Sequence, residues 1–236
     1  MGSVLITHKR LLQVNLISHC VLPGLALALA LGMDPGIGGV ITGLVGAIAA
    51  EGLTNKKNQN YEAVMNTILA GSMGLGVLII PILGIKIDLE AVLFGDLLTA
   101  NLSDLFRTLI AFSVFICLLI FGYDKLVYIG LDPEGAAANG VNLTFFNLSL
   151  GFTTALVIVS SMSAVGVVLV IALLSTPTLW GLQKARCLWK AMARSSLFGL
   201  FLSIIGFLLA FSFNLPPGPL ISVLCVISLI LLPKNR

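Results

Sequence analysis

Apolar residues in this chain neither alternate nor form narrow stripes; they run in long blocks separated by short polar stretches. Blocks almost free of charge occupy 16–33, 38–54, 63–83, 105–122, 143–160, 164–181, 195–213 and 219–233. A helix needs roughly 20 apolar residues to cross the ~30 Å hydrocarbon layer of a bilayer. Inside lipid, only helices and closed barrels satisfy every backbone N–H and C=O. The pattern therefore predicts an all-α, polytopic helical membrane protein with about eight spanning helices in a single domain over residues 1–236. Several blocks have only 15 to 18 apolar residues, so tilted, broken or shorter elements are expected among them.

Composition agrees with the pattern. Of 236 residues, 58% are hydrophobic and 10% charged, whereas soluble domains carry about 25% charged residues. That excludes a soluble globule. The net charge of +3 does not point to nucleic acid, because the basic residues sit in short clusters between apolar blocks, where they record orientation. With residue 1 inside, Lys9, Arg10, Lys56, Lys57, Lys125, Lys184, Arg186, Lys190, Arg194, Lys234 and Arg236 all fall on the inner side. Only Lys86 and Arg107 fall outside. Lys9, Arg10 and Ala28-Leu29-Ala30 give the first block the outline of a signal peptide, but His19 and Pro23 interrupt its apolar stretch. It is read as a spanning helix. Cys20, Cys117, Cys187 and Cys225 lack the close pairing of a zinc site or disulfide framework and are expected to be small buried apolar residues.

Two features stand out between the blocks. The outer segment Gly84 to Asp104 carries Asp88, Glu90, Asp96 and Asp104 against Lys86 alone, an acidic outer face; Asp96 is expected to cap a re-entrant helix. The inner run from Leu131 to Gly140 reads as a two-turn helix in the cytoplasm. Asp132 can cap it, Pro133 suits its first position, Glu134 favours its positive end and Gly140 stops it. Within the blocks, Ser195, Gly199, Ser203, Gly206 and Ala210 form one small-residue stripe and Gly39, Gly43 and Ala47 another, both suited to close helix packing.

Catalytic signatures are missing from the sequence. There is no Gly-x-x-x-x-Gly-Lys-Ser/Thr, no Gly-x-Ser-x-Gly and no His-Glu-x-x-His, and His8 and His19 are the two histidines. The chain is expected not to be an enzyme, and any ATP dependence must come from another subunit. The informative run is Asn15-Leu16-Ile17-Ser18-His19-Cys20-Val21-Leu22-Pro23-Gly24. Asn15 and His19 are four apart and share a helix face. Pro23 removes the donor that the His19 carbonyl would otherwise meet, and Gly24 lets the backbone bend. Such groups belong in the bundle interior or along a water-filled path. Either His19 is hydrogen-bonded across a helix interface, or it is a ligand.

Four blocks carry a resemblance: Ser18 to Ala28, Leu93-Phe94-Gly95-Asp96-Leu97-Leu98, Gly130-Leu131-Asp132-Pro133-Glu134, and Val165 to Pro177. In this order they resemble the membrane permease subunits of bacterial ABC importers for manganese, zinc and iron. The resemblance implies a multi-pass plasma-membrane protein that pairs with a second copy of itself, surrounded by membrane lipid. It also implies a cytosolic ATP-binding subunit and an extracytoplasmic metal-binding protein that delivers the cargo. In such permeases the helix matching 11–31 carries an Asp and a His four apart along the metal path; here these positions are Asn15 and His19, and an Asn oxygen still suits a hard cation such as Mn²⁺. The inner helix would dock into the ATP-binding subunit, with Leu131, Ala136, Ala137 and Ala138 in contact and Asp132, Pro133 and Glu134 fixing its start. Relatives usually carry a spanning helix before the segment matching Lys9 to Gly24, so a fragment or a misassigned start is expected.

The expected function is inward passage of a divalent transition metal, Mn²⁺ ahead of Zn²⁺ or Fe²⁺, as transported cargo with no resident cofactor. His19 would supply a nitrogen and Asn15 an oxygen, one third to halfway across the membrane, with Ser160-Ser161-Met162-Ser163 as a further source of ligands. The alternatives are an ABC permease for a metal chelate or vitamin, and an ATPase-independent secondary transporter or channel.

Overall fold

Ten helices make up all but a single residue, Phe94, of the regular structure of the described residues, which in this computed structural model are 1–57, 60–84, 94–95, 101–183 and 185–231. They are α1 (Gly2–Thr7), α2 (Leu11–Ala30), α3 (Pro35–Lys57), α4 (Tyr61–Ile82), α5 (Leu102–Leu131), α6 (Pro133–Ala138), α7 (Leu143–Val165), α8 (Val167–Leu182), α9 (Leu188–Phe213) and α10 (Pro217–Ile230). Six of them, α2 to α5, α7 and α9, are long and apolar enough to cross a membrane. The blocks 164–181 and 219–233 form the shorter apolar helices α8 and α10, of 16 and 14 residues.

Local chemistry sets several helix ends. The Asn60 side chain accepts the Glu62 N–H at the start of α4, and the Asn142 side chain accepts the Phe145 N–H at the start of α7. Helix α5 is longer than its apolar block, because nothing between Tyr123 and Leu131 stops it. Pro133 disfavours helical backbone at the residue before it and ends α5 at Leu131. The short helix α1 was not expected; a turn with Lys9 in the left-handed region (φ 55°) joins it to α2.

Helix α2 is the hub. It packs against α3, α4, α7 and α8, and Leu16, Ile17, Ser18 and Val21 are almost wholly buried. The α2–α3 crossing is made by glycine. A Cβ on Gly24 would run into the Gly38 carbonyl and the Thr42 hydroxyl, so the backbones meet directly. One and two turns back along α2, Val21 lies over Gly39 and Ile17 over Gly43; on the α4 side, Leu22 and Pro23 lie over Gly76. The bend expected at Pro23 does not interrupt the helix: α2 continues to Ala30, since the proline costs one donor and its ring is clamped between neighbours.

The other small-residue stripe behaves alike. On α9, Ser195 meets Gly181 of α8 and Gly206 meets Ile221 of α10. The cysteines divide. Cys20 and Cys225 are buried as expected, but Cys117 and Cys187 are exposed, because they fall on outward faces rather than on packed stripes. Large apolar side chains cover much of the outside, Phe121 and Phe211 among them at 82% exposure. In water such a surface would aggregate; against lipid tails it is the solvated one.

Candidate functional site

Asn15 and His19 sit on α2, one and two turns above its inner start at Leu11. The rest of α2 at that height is buried in its neighbours, while these two side chains are half-buried. Among the described residues neither makes a side-chain hydrogen bond, and no group of three or more His, Cys, Asp or Glu is assembled. One chain thus offers an imidazole and an amide on an open face, and no closed metal cage.

The polar turn after Ser160 lies elsewhere. The Ser160 carbonyl accepts the Thr108 hydroxyl at 3.2 Å, and Ser160 lines an outer cavity of about 320 Å³ with Asp34, Val40 and Arg107. Met162 packs on Val21, on a different side of α2 from His19. Ser160 and Met162 are therefore not brought to Asn15 and His19.

At the outer end, Asp88, Glu90 and Asp96 lie outside the described residues. Asp104 accepts the Asn101 N–H at 3.0 Å and caps α5. Arg107 lies 4.0 Å from Asp104 and forms an ion pair with Asp34. This accounts for a basic residue on the outer side: Arg107 joins the start of α3 to the start of α5.

At the inner end, α6 has the architecture its sequence predicts. Asp132 Oδ1 accepts the Gly135 N–H at 2.9 Å, Pro133 occupies the first position, and Gly140 ends the segment at φ 79°. Asn139 holds the helix down by donating to the Tyr128 hydroxyl at 2.7 Å. One expected contact residue is corrected. Ala136 is fully buried in the core with Phe146 and Leu150, because a six-residue helix on the bundle must turn one side inward. Leu131, Asp132, Pro133, Glu134, Ala137 and Ala138 are exposed.

Sequence reasoning missed a second inner cluster. Arg10, at the start of α2, forms a two-pronged pair with Glu51 of α3, at 3.0 and 3.4 Å. Asn147 of α7 donates to the same carboxylate at 3.1 Å. Glu51 is the single acidic residue in block 38–54. An ionisable group inside a span is a functional signal in itself, and that signal was available. Beside this cluster, the His8 ring Nε2–H donates to the Leu126 carbonyl at 2.9 Å, tying the α1–α2 turn to the lower part of α5. Burial lowers the His8 pKa below its ordinary value; the Leu126 bond opposes this and Arg10 adds to it.

A multi-pass helical bundle with an open polar face on its central helix, and a capped helix at its inner end, has the form of a membrane transport subunit. The chain belongs to the ABC 3 transport family, whose model matches residues 1–233. It is 31% identical over 217 residues to the manganese transport system membrane protein MntC of Listeria monocytogenes, covering 92% of this chain and 78% of that one. To the chelated iron transport system membrane protein YfeD of Yersinia pestis it is 30% identical over 214 residues, covering 90% and 72%. The solved structure of PsaBC from Streptococcus pneumoniae in complex with Fab superposes with a TM-score of 0.86 at 28% identity, covering 98% of this chain and 83% of that one. The protein is a multi-pass permease of the bacterial inner membrane.

Proposed function

We propose that this chain forms the membrane path of an ATP-driven importer for a divalent transition metal, with Mn²⁺ as cargo. The observation that carries the reading is the Asn15–His19 face: two polar side chains one turn apart, without partners among the described residues, half-open on a stretch of α2 that is otherwise buried from Gln13 to Gly24. A polar face of this kind is costly against lipid. A second copy of the chain would cover it, and would bring two imidazoles and two amides together. Such a set suits a borderline cation held weakly, and weak holding lets a path release its ion. The manganese system relatives support this cargo. The YfeD relative favours a second reading, iron or a chelate of it, which would need more room and depend less on an imidazole.

ATP hydrolysis would fall to a separate cytosolic subunit, docked on the exposed side of α6. An extracytoplasmic metal-binding protein would deliver the ion at the outer end. There the acidic run of the sequence, Asp88, Glu90, Asp96 and Asp104, would lend negative charge, which steers a cation.

In proteoliposomes holding the assembled transporter, His19→Ala should abolish ATP-driven Mn²⁺ uptake while folding and association with the ATP-binding subunit persist. Asn15→Asp should keep or raise Mn²⁺ affinity. Uptake at the wild-type rate in His19→Ala returns His19 to a packing role and moves the cargo toward a chelate. Ala137→Trp, on the exposed side of α6, should uncouple hydrolysis from uptake.

A further inference from the structure

We infer that Gln13, Glu51, Tyr61 and Asn147 form a two-position hydrogen-bond switch around Arg10, which sets how α7 holds α2; the inference rests on the reading of α2 as the cargo helix. In the position observed, Glu51 Oε1 accepts from Arg10 at 3.0 Å and from Asn147 at 3.1 Å, while its Oε2 accepts from Arg10 at 3.4 Å. One carboxylate thus ties α3, the start of α2 and α7 together.

Two buried polar atoms beside this knot are left over. Gln13 is 2% exposed, yet its Oε1 has no partner among the described residues, and the same is true of the Tyr61 hydroxyl. Buried polar atoms without partners are rare, and each calls for an explanation. Here the missing partners are close by. Gln13 Nε2 lies against Gly151, which is one turn beyond Asn147 on the same face of α7, so the Gln13 side chain borders α7 within a turn of the Asn147 amide and a turn of the Gln13 amide plane presents Oε1 to it. Tyr61 is an electrostatic neighbour of both Arg10 and Glu51.

A shift of α7 along α2 hands the Asn147 amide from Glu51 to Gln13 Oε1. It leaves Glu51 to accept a hydrogen bond from the Tyr61 hydroxyl while keeping Arg10. The Asn147–Glu51 bond is lost, the Asn147–Gln13 and Tyr61–Glu51 bonds are made, and both leftover atoms are satisfied. Two discrete arrangements of one polar network make the kind of element that both ends of a transporter can bias. The drive is adjacent, because α7 begins five residues after α6 ends, so a push on the coupling helix reaches Asn147 within about a turn.

The test is Tyr61→Phe and Gln13→Leu in the assembled transporter, followed by thermal unfolding, ATP hydrolysis and ATP-driven Mn²⁺ uptake. Each variant removes a leftover buried polar atom, so the unfolding midpoint should hold or rise and hydrolysis should persist. Uptake per ATP should fall about ten-fold, as expected when one well-made hydrogen bond is lost from one of two balanced states. Asn147→Leu should lower uptake as well, with partial rescue by Asn147→Gln. Wild-type uptake in both Tyr61→Phe and Gln13→Leu overturns the switch, and so does a parallel loss of stability and uptake, which marks a purely structural role. Should the wild-type transporter import no Mn²⁺, the cargo reading fails on its own. The switch is then decided by spin labels at the exposed positions 12 and 145. ATP should change their separation in the wild type and not in Tyr61→Phe; one separation in all states overturns the proposal.

Discussion

The two ends of α3 each carry an ion pair, and the pairs are built differently. At the outer end Asp34 meets Arg107 with both side chains 39% exposed. At the inner end Arg10 meets Glu51 at 13% and 23% exposure, and Asn147 adds a third helix to the contact. Exposed pairs are screened and contribute little, whereas a partly buried pair is costly to break because a lone charge remains behind. The inner end is therefore the tighter clamp. The outer pair links two helix starts at the water interface, where it can open at small cost.

Removing the inner carboxylate should show the contrast most strongly. Glu51→Leu strands the Arg10 guanidinium and the Asn147 amide, and should cost about 2–3 kcal/mol of stability in a detergent-solubilised thermal unfolding assay. Exchanging the charges, Arg10→Glu with Glu51→Arg, should recover part of it. A loss in Glu51→Leu no larger than that of an outer variant would dissolve the distinction.

Crowding the inner end comes next. Ala136→Leu forces a larger side chain into the core beneath α6 and should cost about 1–3 kcal/mol, while Ala137→Leu, one residue on and exposed, should be near neutral. Equal losses would mean that α6 does not sit as described. At the outer end, Asp34→Asn should cost about 0.5 kcal/mol or less, and the difference from wild type should vanish in high salt.

The smallest effect sharpens the inner side alone. Burial holds His8 below its ordinary pKa of 6.5, so as the pH falls the unfolded chain takes up a proton before the folded one does. The stability contributed by neutral His8 is complete above about pH 6.5 and drains as the pH drops through its folded value. A pH series of unfolding midpoints should slope downward there in the wild type and less so in His8→Gln. Equal slopes would remove His8 as the source.

Much of the architecture was legible because lipid imposes a strict rule. Long charge-free blocks can be little else than membrane helices, and the helix at 133–138 follows from Asp132, Pro133 and Gly140 at fixed offsets. The side of α2 on which Asn15 and His19 lie together also follows from their four-residue spacing. Glu51 shows the limit. Its isolation among apolar residues marked it as unusual, but its partners are 41 residues earlier and 96 residues later in the chain.

The sequence by itself thus determined the class of fold, the placement of the helices and the candidate ligand pair, since these depend on hydrophobicity and local periodicity. Tertiary structure alone decided the rest. It turned Ala136 inward, kept α2 unbroken through Pro23, placed Ser160 in the outer cavity and left Gln13 and Tyr61 short of partners. Each of these outcomes depends on which helices cross, and where two glycines let backbones touch is set by the whole bundle rather than by any stretch within it.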